Sequence, residues 1–471
     1  MKLGTITGGD EPQIVTGFAI DHRKVAPGTV FGAFEGARVN GEDYIPAAIA
    51  AGAIAVVARP EAVVEGVVHI AVRDPREAFA RAAAQFFAPF PPTCVAVTGT
   101  NGKTSTVEMV RQLWRMQGHH AASIGTLGVT TADERVTTGL TTPDIVTFLS
   151  NVAGLAREGV THVAFEASSH GLSQYRTEGL PVRAAAFTNL SRDHLDYHGD
   201  MATYLTAKLR LFAEMLADDG TAVVWVDDPH ADRVIDLARV RGNALITVGE
   251  HGDTLRLTAR EPSLLGQALT IEAEGQAHKV QLPLIGAYQA ANALTAAGLV
   301  LATGGTLAAT LAGLARLQPV RGRLERAVIL PNGAPVYVDY AHTPDALEAA
   351  IAALRPHAAG RLIVVFGAGG DRDTGKRAPM GEVVATHADV AIVTDDNPRT
   401  EDAASIRAQV LAGAPDATEI GDRRAAIRAA CEMAQSSDIV LIAGKGHEQG
   451  QIVGDRFLPF DDVQVARDCA G

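Results

Sequence analysis

The sequence predicts an α/β protein of three domains, and three observations predict it. The chain has 471 residues, which at roughly 150 residues per domain gives about three domains and length for more than one buried core. From Thr93 onward, apolar runs of strand length alternate with helical patterns, the rhythm of a mostly parallel sheet covered by helices. That rhythm breaks at QPVRGRLER (318–326), a hinge-like segment, and then resumes as a second, smaller, doubly wound Rossmann-like domain.

The elements follow in order. Residues 1–88 hold short β-like runs (GFAI, TVFGAF, AIAVVA) and an Ala-rich helical stretch from Tyr44, and the proline cluster PFPP at 89–92 ends them. They form a small α/β N-terminal domain. A central domain, 89–319, carries the strands TCVAVTG, HVAFEAS, RAAAFTNL and TAVVWVDD. Its alternating, Gly-interrupted stretch at 253–284 predicts antiparallel hairpins, and a helical region follows at 288–317. The last domain, 320–471, is built on VYVDY, LIVVFGAG, VAIVTDD and DIVLIAGKG.

Composition narrows the function classes. With 47% hydrophobic and 20% charged residues the chain is an ordinary globular protein. Lys+Arg 41 against Asp+Glu 54 gives a net charge of -13, which argues against a nucleic-acid binder and leaves room for a local basic pocket that takes a phosphorylated small molecule. Cys94, Cys431 and Cys469 stand in no paired spacing, which suits a reducing compartment and offers no zinc site. The N-terminal MKLGTITGGDEPQ has no apolar core segment and does not read as a secretory signal. The longest apolar run, at 47–58, falls well short of the roughly 20 residues that span a bilayer. A soluble, cytoplasmic protein without membrane insertion is expected.

The chemistry concentrates in a few segments. VAVTGTNGKTS (95–105) reads as strand, glycine turn and helix start, with Val107, Val110, Leu113 and Trp114 on one helix face. Such a turn cradles an anion with backbone N–H groups; Lys103 would neutralise nucleotide phosphates and the Thr104 hydroxyl would serve Mg²⁺. Val97 stands where the strict phosphate-loop pattern has its first glycine, so the loop is a variant. In MATYLTAKLRLFAEML, from Met201, Lys208 falls inside the apolar stripe of Tyr204, Leu205, Leu211, Phe212 and Met215. Either it snorkels at the stripe's edge, or burial depresses its pKa and leaves a neutral amine able to take up CO₂ as a carbamate.

Glu166 ends an apolar strand, a place that suits Mg²⁺ and equally a solvated strand end. Asp193, His194, Asp196 and His198 cluster past another strand, as a metal or phosphate neighbourhood or as a polar helix start. Thr142 before Pro143 reads as a helix N-cap. Ser168, Ser169 and His170 have no GxSxG elbow around them, which sets a hydrolase aside.

GTNGKTS, LTTPD, EASSHGL, TNLSRDHLDYHGD, the Lys208 helix, LQPVRGRLE, DYAHTPDAL, GAGGDRDTGKR, TDDNPRTED and AGKGHE occur in the order found in the Mur ligases, and the chain resembles that family over essentially its whole length. The resemblance implies an N-terminal UDP-binding domain, a central ATPase domain and a C-terminal domain that brings an amino acid. It implies ATP held by Gly99, Thr100, Asn101, Gly102, Lys103, Thr104 and Ser105, with Asn292 at the adenine and Arg323 and Asp339 reaching the nucleotide. Lys103, Glu166, His194 and Lys208 match catalytic positions; Thr104, Glu166, His194 and a carbamylated Lys208 match the positions that serve two magnesium ions. Ile20, His22, Ala37, Arg38, Val39, Thr141, Thr142, Ser168, Gln174 and Arg176 match positions that hold a UDP-muramoyl dipeptide, with His22 standing where the family's DSR motif has serine.

DNPR, at Asp396, Asn397, Pro398 and Arg399, marks diaminopimelate recognition in the family; Arg372, Gly444 and Glu448 match further contacts to that amino acid. Chemistry agrees, because diaminopimelate differs from lysine by one distal carboxylate and arginine's fork grips a carboxylate bidentately. Arg372 and Arg399 both follow strand ends of one predicted sheet. The implied reaction adds meso-2,6-diaminopimelate to the D-Glu γ-carboxylate of UDP-N-acetylmuramoyl-L-alanyl-D-glutamate at the expense of ATP, in peptidoglycan precursor synthesis, by a monomer. The alternatives are the lysine-adding relative, folylpolyglutamate synthase, and a phosphate-loop switch that would leave Lys208 and Glu166 idle.

Overall fold

Val, Ala and Phe runs too apolar for a half-exposed strand form sheets covered on both faces. The structure is a computed structural model; it describes every residue except Ala37, Arg38, Asp133, Thr137, Thr138, Gly139, Leu264 and Gly471, and leaves the side chains of Arg135 and Asp196 undescribed. The chain divides into two compact units, Met1–Thr247 with Gly298–Gly305, and Val248–Ala297 with Thr306–Gly471. It passes between them within the strand Ala244–Gly249, within the helix Ala287–Ala302 and again between Gly305 and Thr306. Among the described residues no helix is long and apolar enough to cross a membrane.

In the first unit, Gly17–Ala19, Thr29–Gly32, Ala53–Ala58 and Val68–Ala71 pair in that order as a parallel sheet. Its helices are Ile45–Ala50, within the expected Ala-rich stretch, and Pro75–Phe87, which the pattern reading did not anticipate. The second helix starts at Pro75 because Asp74 accepts from Glu77 N (3.1 Å), and it buries Phe79, Ala80 and Ala83.

Beyond it, Leu216–Trp225, Val182–Phe187, Thr93–Thr98, His162–Glu166 and Ala121–Gly125 lie side by side in parallel, and Gly128–Thr130 and Arg135–Val136 continue antiparallel. The register sets Val97 beside Glu166 and Thr98 beside Phe187. Three strand C-terminal ends therefore converge where the phosphate loop begins. Helix Lys103–Met116 packs there with Val107, Val110, Leu113 and Trp114 buried, as expected, yet Glu108 and Arg111 are buried too. They pair at 2.9 Å, and Glu108 also accepts from Ser123, which makes the burial tolerable.

In the second unit, Leu255–Ser263, Gly266–Ala273 and Gln276–Leu282 are the antiparallel strands the alternating stretch predicted. The other sheet runs Glu325–Ile329, Pro335–Asp339, Ile439–Ala443, Leu362–Phe366, Val390–Val393, Thr418–Glu419, parallel except for its first strand. Leu362, Val364 and Phe366 enter one apolar cluster while Ile363 and Val365 enter another, so both faces are covered, as a doubly wound sheet requires.

Candidate active site

The phosphate loop is made by close approach. Gly99 has φ +147°, and a Cβ there would sit 1.9 Å from Thr188 Oγ1, so only glycine fits. Gly102, left-handed at φ +85°, precedes Lys103–Met116, whose N-terminus carries no side-chain cap, the kind of helix start that suits an anion. The next strand's loop braces the turn: Thr188 Oγ1 donates to Asn101 O (2.6 Å), and Asn189 Oδ1 accepts from Asn101 N (2.9 Å). Thr100 Oγ1 accepts from Ser191 N (3.0 Å). Thr104 and Ser105 are buried in the first helical turn.

Lys103 and Lys208 meet at this loop. Lys103 Nζ donates to Gly99 O (3.0 Å) and Thr100 O (2.7 Å), and Lys208 Nζ donates to the same Gly99 O (2.6 Å). Lys208 sits on the helix Met201–Arg210, capped by Asp200 at Thr203 N (2.7 Å), and is 1% exposed with Tyr204, Leu211 and Phe212 packed as deeply. Its head group lies 4.3 Å from the Tyr204 ring centroid. The edge-snorkelling alternative is thereby ruled out. Burial, and then the charge of Lys103, hold the Lys208 amine well below the usual lysine range against an opposing pull from Asp193.

Glu166 is 2% exposed, not a solvated strand end. Its Oε1 accepts from Thr126 N (2.7 Å) and its Oε2 from Thr126 Oγ1 (3.3 Å). Thr104 Oγ1 reaches the same Thr126 hydroxyl at 3.4 Å, and Thr141 Oγ1 lies 3.0 Å from it. Thr126 was missed from sequence; its only signal was its place just past the strand Ala121–Gly125. His194 is half exposed at φ +53°, with Nε2 3.4 Å from Asp193 Oδ2 and its ring against His170 (4.9 Å) and Tyr204 (6.2 Å). Among the described residues no three His, Cys, Asp or Glu side chains form a ready metal cluster. A hydroxyl, a buried carboxylate and an amine able to carry a carbamate nevertheless fit Mg²⁺, which takes few protein oxygens and fills its shell with phosphate and water.

The expected N-cap at Thr142 is corrected. Asp144 caps the helix Ile145–Arg157, accepting from Val146 N and Thr147 N (both 3.1 Å). Thr142 Oγ1 is committed elsewhere, donating to Glu166 O (2.9 Å) and accepting from Ser168 N (3.2 Å). Ser168 Oγ accepts from Gly171 N (3.1 Å). Arg176 donates to Thr142 O (3.0 Å) and to Gln174 Oε1 (2.7 Å), and Gln174 Nε2 donates to Tyr197 Oη (2.9 Å). Thr141, Thr142, Ser168, Gln174 and Arg176 thus form one connected rim beside Glu166.

Nearer the N-terminus, Ile20 and Val39 are exposed and the His22 ring stacks on Tyr44 at 4.5 Å. Asp21, held down to about 2 chiefly by its hydrogen bond from Arg23, caps the turn that carries His22. Ala37 and Arg38 lie outside the described residues.

In the second unit, Asp396, Asn397 and Pro398 are buried after the strand Val390–Val393 and Arg399 is partly open. Asn397 Nδ2 donates to Glu448 Oε2 (2.9 Å), and the buried Lys445 donates to Asn397 Oδ1 (3.0 Å) and Glu448 Oε2 (3.1 Å). Lys445 was missed because it sits between glycines without a pattern. Gly444 lies against Asp396, and Arg372 is exposed. Asn292 donates to Gln289 (3.3 Å), which donates to Arg323 O (3.0 Å). The Asp339 carboxylate accepts from Leu324 N (2.7 Å) and Ala341 N (2.9 Å), with burial raising its pKa.

Comparison with known proteins decides the family. Models described as Mur ligase family catalytic domain, Mur ligase middle domain and Mur ligase glutamate ligase domain match residues 14–88, 97–300 and 322–446. A protein of Zymomonas mobilis named UDP-N-acetylmuramoyl-L-alanyl-D-glutamate--2,6-diaminopimelate ligase is 61% identical, covering 99% of this chain and 98% of the relative. This chain belongs to the Mur ligase family. A relative of the same name from Bradyrhizobium diazoefficiens is 51% identical over 99% of this Mur ligase and 98% of itself. A solved structure of an enzyme of that name superposes with a TM-score of 0.75 at 34% identity, covering 100% of this chain and 98% of the other. Mycobacterium tuberculosis folylpolyglutamate synthase, solved with ADP and AMPPCP, shares the fold at TM-score 0.63 and 20% identity over 78% of this chain and 92% of its own.

Proposed function

We propose that this Mur ligase joins meso-2,6-diaminopimelate to the D-Glu γ-carboxylate of UDP-N-acetylmuramoyl-L-alanyl-D-glutamate, with cleavage of ATP. One observation carries the reading: a relative 61% identical over 99% of the chain bears the name of this reaction. The site residues give it chemical sense.

A carboxylate and an amine do not condense in water, so the γ-carboxylate of the dipeptide first attacks the γ-phosphate of ATP. ADP leaves and an acyl phosphate forms. The loop at Gly99, Gly102 and the helix N-terminus would hold the phosphates, with Thr100, Asn101, Thr104 and Ser105 forming the loop and first turn, while Lys103 stabilises charge on the transferred group. When bound, Mg²⁺ would neutralise the phosphates, held by Thr104, Glu166, His194 and the Lys208 carbamate. Thr141, Thr142, Ser168, Gln174 and Arg176 orient the dipeptide; Ile20, His22, Ala37, Arg38 and Val39 take the uridine end. Asn292, Arg323 and Asp339 would serve the nucleotide.

The amine of diaminopimelate then attacks the acyl carbon, a tetrahedral intermediate forms, and phosphate is expelled. Arg372, Asp396, Asn397, Pro398, Arg399, Gly444 and Glu448 would hold the amino acid, Arg399 gripping the distal carboxylate. A lysine would leave that guanidinium without its partner, a penalty that can reach roughly 10⁴ in selectivity. The enzyme works as a cytoplasmic monomer of three functional segments, 1–88, 89–319 and 320–471. Arg399→Ala tests the substrate assignment: the KM for diaminopimelate rises at least about tenfold, the scale of one charge-assisted hydrogen bond, while the KM for ATP holds. Equal effects on both substrates would contradict it.

A further inference from the structure

In the second unit the loops bearing Arg372 and Arg399 are fastened together by side chains that the proposed reaction leaves without a task. Arg377 opens the helix Arg377–His387 and is fully buried. Its Nη1 donates to Glu401 Oε2 and Gln409 Oε1 (both 2.9 Å), and its Nη2 to Glu401 Oε1 (2.8 Å) and Gly369 O (3.1 Å). Such bonds offset the burial of a guanidinium; here Nη1 and Nη2 carry them, while Nε has no hydrogen-bond partner among the described residues. Glu401, two residues past Arg399, also accepts from Asp371 N (2.5 Å). Asp371 returns the link, accepting from Thr400 N (3.2 Å) and Thr400 Oγ1 (2.6 Å).

The clasp holds an unfavourable backbone. Asp371 and Arg399 both have φ +53°, a region that residues with side chains adopt only when their surroundings impose it. Arg399 N donates to Ile452 O (3.0 Å), Gly454 N donates to Arg399 O (2.7 Å), and Arg399 Nη1 donates to Gly370 O (2.7 Å). The loops lie so close that a Cβ at Gly370 would be 1.9 Å from Pro398 O.

We propose that the Arg377–Glu401 pair is a positioning element that fixes the direction of the Arg399 guanidinium and thereby selects an amino acid with a second, distal carboxylate over one that lacks it. This rests on the diaminopimelate reading above. Arg377 is enclosed and acts through Arg399. Bidentate recognition depends on the fork's direction, so a loosened clasp leaves the arginine present and misaimed.

The test measures initial rates of wild type, Glu401→Gln, Glu401→Asp and Thr400→Val with diaminopimelate and with lysine, together with the KM for ATP and thermal melting. In Glu401→Gln the KM for diaminopimelate rises about tenfold or more, turnover at saturation and the KM for ATP change little, and the preference over lysine falls by the same factor. Glu401→Asp, which keeps the charge, recovers part of the loss. Thr400→Val, altered at an exposed position, moves the same way by less, and decides the matter if Glu401→Gln does not fold. An unchanged KM for diaminopimelate overturns the proposal, as does a joint rise for diaminopimelate and ATP with a fallen melting temperature. Wild type preferring lysine would sink the underlying reading; wild type preferring diaminopimelate with variants unaltered would sink the clasp alone.

Discussion

Lys208 is the residue at which folding and chemistry pull against each other. An ammonium enclosed among Tyr204, Leu211 and Phe212 and beside Lys103 is costly, and the cost falls if the amine is neutral or carries CO₂. Lys208→Ala is expected to lose nearly all turnover in a coupled ADP-release assay, and to lower the melting temperature too, because the bond to Gly99 O and the packing of the side chain go with it. Normal turnover would end the carbamate argument. His162 gives a second residue-scale prediction. Burial, and then the charge of His119, lower it from 6.5 to about 4. Between those values the unfolded chain binds the proton more readily, so stability rises with pH across about 4 to 6.5 and is lost as pH falls through that window, each unit being worth about 1.4 kcal/mol before screening. Melting curves of wild type and His162→Gln should differ in slope there and run parallel above pH 7. Periodicity placed Lys208 on the apolar stripe but could not say how deep that stripe lay, since depth is set by the sheet it packs on. Thr126 was out of reach for another reason: half of what it offers Glu166 is a backbone N–H, which every residue has.

At the scale of elements, the strand, turn and helix around the phosphate loop were legible because apolar runs and glycines mark them directly. Gly99→Ala tests that element: the added Cβ collides with Thr188 Oγ1 and takes a φ of +147° that alanine avoids. ATP affinity, read by fluorescent-nucleotide titration, should fall by at least about tenfold, and an unchanged titration would show that the loop is looser than its packing implies. Pro75–Phe87 went unread although Asp74, Pro75 and Glu77 spell a helix start, because its alanines give the buried face little contrast. The N-cap was misplaced from Asp144 to Thr142 because both can cap, and only the tertiary bond from Thr142 to Glu166 O decides between them. The strand Leu216–Trp225 begins earlier than its apolar run because Leu216 pairs with Val182, and ADDG bulges out of the ladder before Thr221 resumes it opposite Ala184.

For the whole molecule, an order of ten motifs spread along 471 residues carried more information than any one of them. What the sequence could not supply was the fastening of loops far apart in the chain, such as Arg377 to Glu401, because such bonds exist only once the strands have set the loops side by side. On the proposed function, ATP cleavage is captured as an acyl phosphate that the amine of diaminopimelate intercepts. The measurement that tests it most directly is the mass of the product formed from UDP-N-acetylmuramoyl-L-alanyl-D-glutamate and ATP with diaminopimelate, lysine or no amine, with released phosphate counted in each. The prediction is a diaminopimelate amide with one phosphate per product and little turnover with lysine. A lysine amide, or steady phosphate release with no amine present, would contradict it.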